Sequence, residues 1–198
     1  GLSAGFAYVY DPTAAAGSRI AAMTLGGEPV ADDRVIKVVT NSFLASGGDN
    51  FATLAQGSGT ADSGRIDLDA FVAHIGESSP VAPDDAQRAV GATLTPPADG
   101  VAYRAGEQVT AELSSPLFSN GGPSSGEATV SLGGTVLGSS PVALEIVDTT
   151  DEQGTATVTF ALPAGIEGSV ALGIAGPGGT AVTLPIEVAA SGPSEPVG

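Results

Sequence analysis

The residues best suited to chemistry in this chain lie in one glycine-containing loop. Phe43 stands past the end of a β-prone stretch, and Gly47, Gly48 and Asp49 follow it. An aromatic ring on a loop either packs in a core or offers its face to a flat ligand, and burial statistics leave both interpretations open. The carboxylate of Asp49 either caps the turn that follows or accepts hydrogen bonds from a vicinal diol. The loop therefore predicts either a structural turn or a small binding site.

Short β-strands and one amphipathic helix must position this loop. Alternating apolar and aromatic residues predict three strands before the loop, at residues 5–10, 18–25 and 34–40. After it, residues 50–56 are expected to form a short helical turn. Leu68, Phe71, Val72 and Ile75 have the spacing of one apolar helix face, with Gly76 as the expected terminator. Residues 1–80 are therefore predicted to be an α+β domain.

The second half of the chain has a different pattern. Residues 78–100 contain four prolines, and residues 81–89 are predicted to be a linker. From residue 90 to 190 the pattern is entirely β, and about seven short strands in such a length predict an immunoglobulin-like sandwich. The predicted strands are 90–95, 107–114, 127–132, 142–147, 155–161, 168–174 and 180–188. Residues 191–198 are predicted to be a Pro/Gly/Ser tail.

Composition excludes several classes of function. Six basic residues stand against 22 acidic ones, giving a net charge of −16, which repels nucleic acid and anionic membrane surfaces. The chain has no cysteine, so disulfides and thiolate metal sites are excluded. No apolar run is long enough to span a bilayer. We expect an exported or cell-surface bacterial protein, and the strand-like pattern at the very start leads us to expect part of a longer polypeptide.

Catalytic groups are scarce. His74 is the single histidine and is predicted to lie on the helix surface, because a lone histidine has no co-ligands for a metal. No Gly-x-Ser-x-Gly elbow and no phosphate-binding loop occur. We predict no catalytic residue and no metal ligand in this chain.

Several stretches together resemble the C-terminal domain of the 5'-nucleotidase family, which includes UDP-sugar hydrolases and 2',3'-cyclic nucleotide phosphodiesterases. The main resemblance is the run Thr-Asn-Ser-Phe-Leu-Ala-Ser-Gly-Gly-Asp-Asn-Phe at residues 40–51, which is similar to the family's Asn-x-Phe segment followed by Gly-Gly-Asp. Residues 2–11, 17–20 and 62–64 resemble flanking segments of the same domain. The resemblance covers residues 1 to about 80.

This resemblance implies a substrate-binding role for the loop. Phe43 would stack on the nucleobase, Asp49 would hold ribose hydroxyls, and Gly47 and Gly48 would let the backbone approach the ligand. Asn41 is a further candidate, although a hydrogen bond from its side chain to the local backbone is an equally good interpretation. Asn50 replaces the family's usual glycine, and Phe51 is expected in the core.

The resemblance also implies what lies elsewhere. The family's catalytic metallophosphatase domain holds two divalent metal ions, and we expect it outside this chain, upstream in the same polypeptide. The second aromatic ring and the arginines of the family's substrate clamp have no counterpart that we recognise here. The competing hypothesis is a non-enzymatic cell-surface spacer or adhesion module. The expected partners are a nucleotide or nucleoside and the upstream catalytic domain.

Overall fold

The part of the protein that the structure describes is mostly β-sheet with two α-helices. A computed structural model describes residues 2–118, 126–144 and 153–190, so the predicted tail at 191–198 lies outside the described residues. The described strands form two sheets, one of six strands and one of four. Neither α-helix within these ranges has the length and the apolar composition of a membrane span.

The six-stranded sheet combines three strands from residues 6–29 with three strands from residues 89–161. Its order is β3-β2-β1-β4-β5-β8. All pairs are antiparallel except that of β1 with β4, which run parallel with Tyr8 opposite Ala89. The strands are β1 (Phe6–Tyr10), β2 (Ile20–Leu25), β3 (Glu28–Pro29), β4 (Ala89–Leu94), β5 (Gln108–Ser114) and β8 (Thr155–Ala161).

The four-stranded sheet is antiparallel throughout, in the order β10-β9-β6-β7. Exposed and buried residues alternate along β10 because successive side chains point to opposite faces of a sheet. The buried face carries Val182, Leu184, Ile186 and Val188. The strands are β6 (Glu127–Leu132), β7 (Thr135–Pro141), β9 (Gly168–Ala175) and β10 (Ala181–Val188).

Both sheets bury their inner faces in one hydrophobic core. Val9, Val90 and Val158 of the six-stranded sheet and Val130 and Leu172 of the four-stranded sheet are completely buried in it. Because β-branched and leucine side chains lie on both inner faces, the two layers stabilise each other. This core positions the strands at both ends of the described chain.

Contacts divide the chain into two compact units. Residues up to Ala31 and from Asp84 onward form one unit, and Asp32–Pro83 form the other. The sequence instead placed a linker at 81–89 between domains at 1–80 and 90–190. The structure differs because β1 pairs directly with β4, which gives the first three strands to the same sheet as the later ones.

The unit Asp32–Pro83 contains two helices, α1 (Ser42–Ala45) and α2 (Asp67–Ser78). Two single 3-10 turns follow α1, Gly48–Asn50 and Leu54–Gln56, and the second lies within the helical turn predicted at 50–56. None of its residues is buried. This unit therefore has no hydrophobic core of its own.

Three local predictions were wrong. Residues 34–40 form no strand, since no neighbouring strand pairs with them in the described structure. Helix α2 continues through Gly76 and ends at Ser78, before the Ser79–Pro80 bond, because the residue before proline is disfavoured in a helix. The strand predicted at 142–147 is not observed at 142–144, where Ala143 forms only an isolated bridge with Thr155, and residues 145–147 are outside the described ranges.

The other predicted strands coincide with observed ones to within two residues at each end. The apolar stripe on α2 also has the predicted spacing, and Asp67 and Asp69 lie in its first turn. However, Leu68, Phe71 and Val72 are exposed. The spacing correctly indicated a helix, but not burial of its apolar face.

Candidate functional site

The loop at 41–51 begins with a helix cap. Asn41 precedes α1, and its side-chain Oδ1 accepts a hydrogen bond from the backbone N–H of Leu44 at 2.8 Å. This contact satisfies one of the free N–H groups at the helix start. Of the two roles that the sequence left open for Asn41, the structure therefore contains the hydrogen bond between its side chain and the local backbone.

A second local bond closes the short helix α1. The Oγ of Ser46 donates to the carbonyl oxygen of Phe43 at 2.7 Å. Gly47 then adopts a left-handed conformation with φ 89°, which ends the helix and reverses the chain. These contacts hold the backbone of Phe43 at the start of the turn.

The ring of Phe43 packs on Gly48. A β-carbon built on Gly48 would lie 2.6 Å from Cε1 and Cζ of that ring and 2.7 Å from Cε2. Three nearly equal distances mean that the ring presents its face, rather than its edge, to the glycine. Glycine at position 48 is therefore needed because any side chain would displace the ring.

The opposite face of the Phe43 ring is open. The residue is 57% exposed even though one face covers Gly48. The ring is therefore not a core residue, and it is available on one side for stacking against a flat molecule. The described residues contain no second aromatic ring packed against it.

Asp49 follows the glycines in an unusual backbone conformation. Its φ is 50°, and the next residue, Asn50, has φ 64°, both in the left-handed region. Aspartate and asparagine tolerate this region better than other residues with a side chain. The Asp49 side chain is exposed and makes no hydrogen bond to the described residues, which leaves its carboxylate oxygens available.

Phe51 does not occupy the core position predicted for it. It is 53% exposed, because the unit that contains it has no buried residues. Thus Phe43, Gly47, Gly48 and Asp49 lie together in one turn. The sequence did not predict the packing of Phe43 on Gly48.

His74 lies on the exposed surface of α2, as predicted. Within the described ranges no three His, Asp or Glu side chains come close enough together to hold a metal ion. The two-metal centre that the family resemblance implies therefore has no fitting ligand set among these residues.

A shallow depression of about 370 Å³ lies in the other unit, between strand ends of the two sheets. Gly26, Gln87 and Arg88 are among the residues lining it. The Gln87 side chain donates to the carbonyl of Leu117 and accepts from the backbone N–H groups of Arg88 and Ala89. Arg88 forms an ion pair with Asp84. The polar side chains here are already engaged, and none of the predicted site residues lines the depression.

Comparison with known families gives a match in the first part of the chain. Residues 1–56 match the family model of the 5'-nucleotidase C-terminal domain. The match includes β1 to β3 and the whole 41–51 loop, and so extends across residues of both compact units. It indicates a nucleotidase-type substrate-binding role for this part of the chain. Searches of characterised proteins and of solved structures found no match.

Proposed function

We propose that this chain is the nucleoside- and nucleotide-recognition part of a secreted, metal-dependent 5'-nucleotidase-type phosphohydrolase. The observation that carries the proposal is the Phe43 ring, which rests on Gly48 with its other face exposed beside Asp49. This arrangement lies within the segment that matches the nucleotidase family model.

Each residue of the turn has a distinct role in the proposed site. The open face of Phe43 stacks on the base, an interaction worth about 1–3 kcal/mol that tolerates different bases. Asp49 accepts hydrogen bonds from the ribose hydroxyls, each worth about 1.5–3 kcal/mol when the acceptor is charged. Gly47 allows the chain to reverse direction, and Gly48 leaves room for the ring of Phe43 to pack on it. Asn41 caps the start of α1.

The phosphate end of the substrate is handled elsewhere. The net charge of −16 does not favour phosphate binding, and the described residues offer no metal-ligand cluster. We therefore assign hydrolysis, with its two divalent metal ions, to a metallophosphatase domain outside this chain. The natural substrates belong to the class that includes nucleoside monophosphates, UDP-sugars and cyclic nucleotides.

We also propose that β4 to β10 form an immunoglobulin-like sandwich that serves as a spacer. Two observations support it: the strand orders β4-β5-β8 and β10-β9-β6-β7, and the single core that both sheets share. In this proposal β1 to β3 extend one sheet of the sandwich. A spacer of this kind suits an exported enzyme held at a cell surface.

Titration of adenosine and AMP into the whole chain tests the proposed recognition role. We expect dissociation constants in the millimolar range, since one ring and one carboxylate supply only a few kcal/mol. Phe43→Ala should weaken binding by about fivefold to a hundredfold, and Asp49→Asn by about tenfold or more. Isothermal titration calorimetry or chemical-shift titration measures both.

Phe118→Ala is the matched control, because Phe118 is a phenylalanine of similar exposure outside the loop. It should leave the affinity unchanged. Equal affinities for the wild type and the two loop variants would contradict the assignment of Phe43 and Asp49. No detectable binding at all would leave the surface-spacer interpretation as the better one.

A further inference from the structure

The unit Asp32–Pro83 exposes more apolar surface than a small free unit can carry. Apart from Phe43, whose open face is assigned to the ligand, nine large apolar side chains between Val35 and Val72 are each at least 39% exposed. At roughly 150 Å² for a whole side chain, their exposed parts sum to an area on the order of 900 Å². A stable dimer needs about 800 Å² per partner. The unit therefore has enough apolar surface for one interface.

The most exposed apolar residues of this unit lie in a segment whose backbone is unpaired. Val35 and Val39 are both 94% exposed. Five of the seven residues at 34–40 are β-branched, and none of their backbone N–H or C=O groups makes a hydrogen bond within the described structure. Such a segment is a template for β-pairing with another chain.

The charges around Val35 are self-complementary. If two copies pair antiparallel with Val35 opposite Val35, Asp33 of each copy lies directly opposite Lys37 of the other. Two opposite-charge pairs then flank an apolar contact on the two-fold axis. Pairing centred on Lys37 would instead place two ammonium groups against each other. The charges therefore favour the register centred on Val35 over the one centred on Lys37.

We propose that this chain forms a symmetric dimer in which residues 33–37 pair antiparallel with a second copy, centred on Val35. The backbone hydrogen bonds missing from the isolated segment form across this interface. The paired segments bring the exposed apolar residues of the two copies together. The proposal is independent of nucleotide binding.

Analytical ultracentrifugation of the whole chain at about 100 μM tests the proposal, since a dimer of micromolar affinity is fully populated there. The wild type should sediment as a dimer. Val35→Asp should raise the dimer dissociation constant at least tenfold, because it puts two carboxylates on the symmetry axis. Val101→Asp is the control, a similarly exposed valine in the other unit, and should not change the constant.

Charge exchange tests the register. Lys37→Asp should weaken the dimer at least tenfold because it places two acids opposite each other. The double variant Asp33→Lys with Lys37→Asp restores opposite charges and should recover most of the affinity. Far-UV circular dichroism of each variant checks that the fold is intact.

Three results would overturn the proposal. The wild type is a monomer at this concentration, in which case a different polypeptide covers the apolar surface. The dimer survives Val35→Asp but is lost in Phe71→Asp, which would place the interface on α2. The double charge exchange fails to restore affinity, which would exclude the proposed register.

Discussion

The ring of Phe43 lies face-on over Gly48, so that a β-carbon at position 48 would be 2.6 Å from Cζ of the ring. This contact joins the end of α1 to the 3-10 turn that carries Asp49. A phenylalanine on an otherwise exposed loop is normally free to change rotamer. Here one face of the ring packs on Gly48, so the ring is already ordered before a ligand binds.

Gly48→Ala should displace the ring without changing the backbone. Gly48 does not have a positive φ, so alanine fits its conformation, and only the ring stands in the way of the methyl group. We expect the Phe43 ring proton shifts to change and AMP affinity to fall by about tenfold. In a Phe43→Ala background the same substitution should have no further effect. An additive effect in the double variant would show that the ring contact is not the cause.

Gly138→Ala should destabilise the β unit strongly. A β-carbon at this position in β7 would lie 2.8 Å from the carbonyl oxygen of Thr159 in β8, a backbone atom that cannot move aside easily. We expect a loss of about 2–3 kcal/mol in the free energy of unfolding, measured by urea denaturation. Ser139→Ala on the same strand is exposed and should change it by less than about 0.5 kcal/mol.

Tyr103 should make stability sensitive to alkaline pH. Its hydroxyl donates a hydrogen bond to the carbonyl oxygen of Thr95, just past β4, at 2.8 Å. Its backbone N–H donates a hydrogen bond to the carbonyl oxygen of Glu187 in β10. Burial, with a smaller contribution from the charge of Glu107, raises the pKa of Tyr103. The folded state therefore favours the neutral phenol of Tyr103. As the pH rises above the usual tyrosine range, the phenol ionises more readily in the unfolded chain, and the free energy of unfolding falls.

Tyr103→Phe tests this dependence. It should lower the free energy of unfolding by about 1 kcal/mol at neutral pH, and it should flatten the loss of stability above about pH 10. Urea unfolding at both pH values measures the change. Part of the alkaline loss should persist, because burial also raises the pKa of Tyr8. An unchanged alkaline profile in Tyr103→Phe would contradict the assignment.

Asp11 should contribute the opposite dependence, on the acid side. It accepts hydrogen bonds from the Thr13 hydroxyl at 2.7 Å and from the Thr93 hydroxyl of β4 at 2.9 Å. The bond from the Thr13 side chain is the main cause of the lowered pKa of Asp11. The ionised form stabilises the fold at neutral pH, and this contribution is lost as the pH falls through the lowered pKa.

Asp11→Asn should reduce stability at neutral pH by about 1 kcal/mol or less, because the site is solvent-screened. It should also make the decline below about pH 4 shallower. Glu28→Gln, on the exposed edge strand β3, is the control and should leave both values unchanged within about 0.5 kcal/mol. A decline as steep as the wild type's in Asp11→Asn would contradict the role of this carboxylate.

Most strands could be predicted from the sequence because apolar and polar residues alternate along them. The strands at 127–132 and 155–161 were predicted with the observed boundaries. The strand β7 was missed because Gly138 and Ser139 have low strand propensity, although Gly133 and Gly134 mark a two-residue hairpin turn just before it. Local composition therefore located strands well where apolar residues alternate and poorly elsewhere.

Pairing partners could not be predicted in the same way. Residues 34–40 have the strongest β propensity of the first half, yet a strand forms only where a neighbour supplies hydrogen bonds. Conversely, β1 pairs with a strand more than 80 positions later in the sequence, as Tyr8 opposite Ala89 shows. The packing of Phe43 on Gly48 could not be predicted from the sequence either, because it depends on the left-handed turn at Gly47 rather than on residue type alone.

The parallel pairing of β1 with β4 has a consequence for biosynthesis. The hairpin of β1 and β2 is synthesised before β4, and the ribosome must translate residues 32–83 before it makes this partner strand. During that interval the free edge of β1 is unprotected. Closing so long a loop is slow, although each doubling of its length costs only about 0.6 kcal/mol. The N-terminal hairpin should therefore be the last part of the sheet to dock, and the part that most needs a chaperone during synthesis.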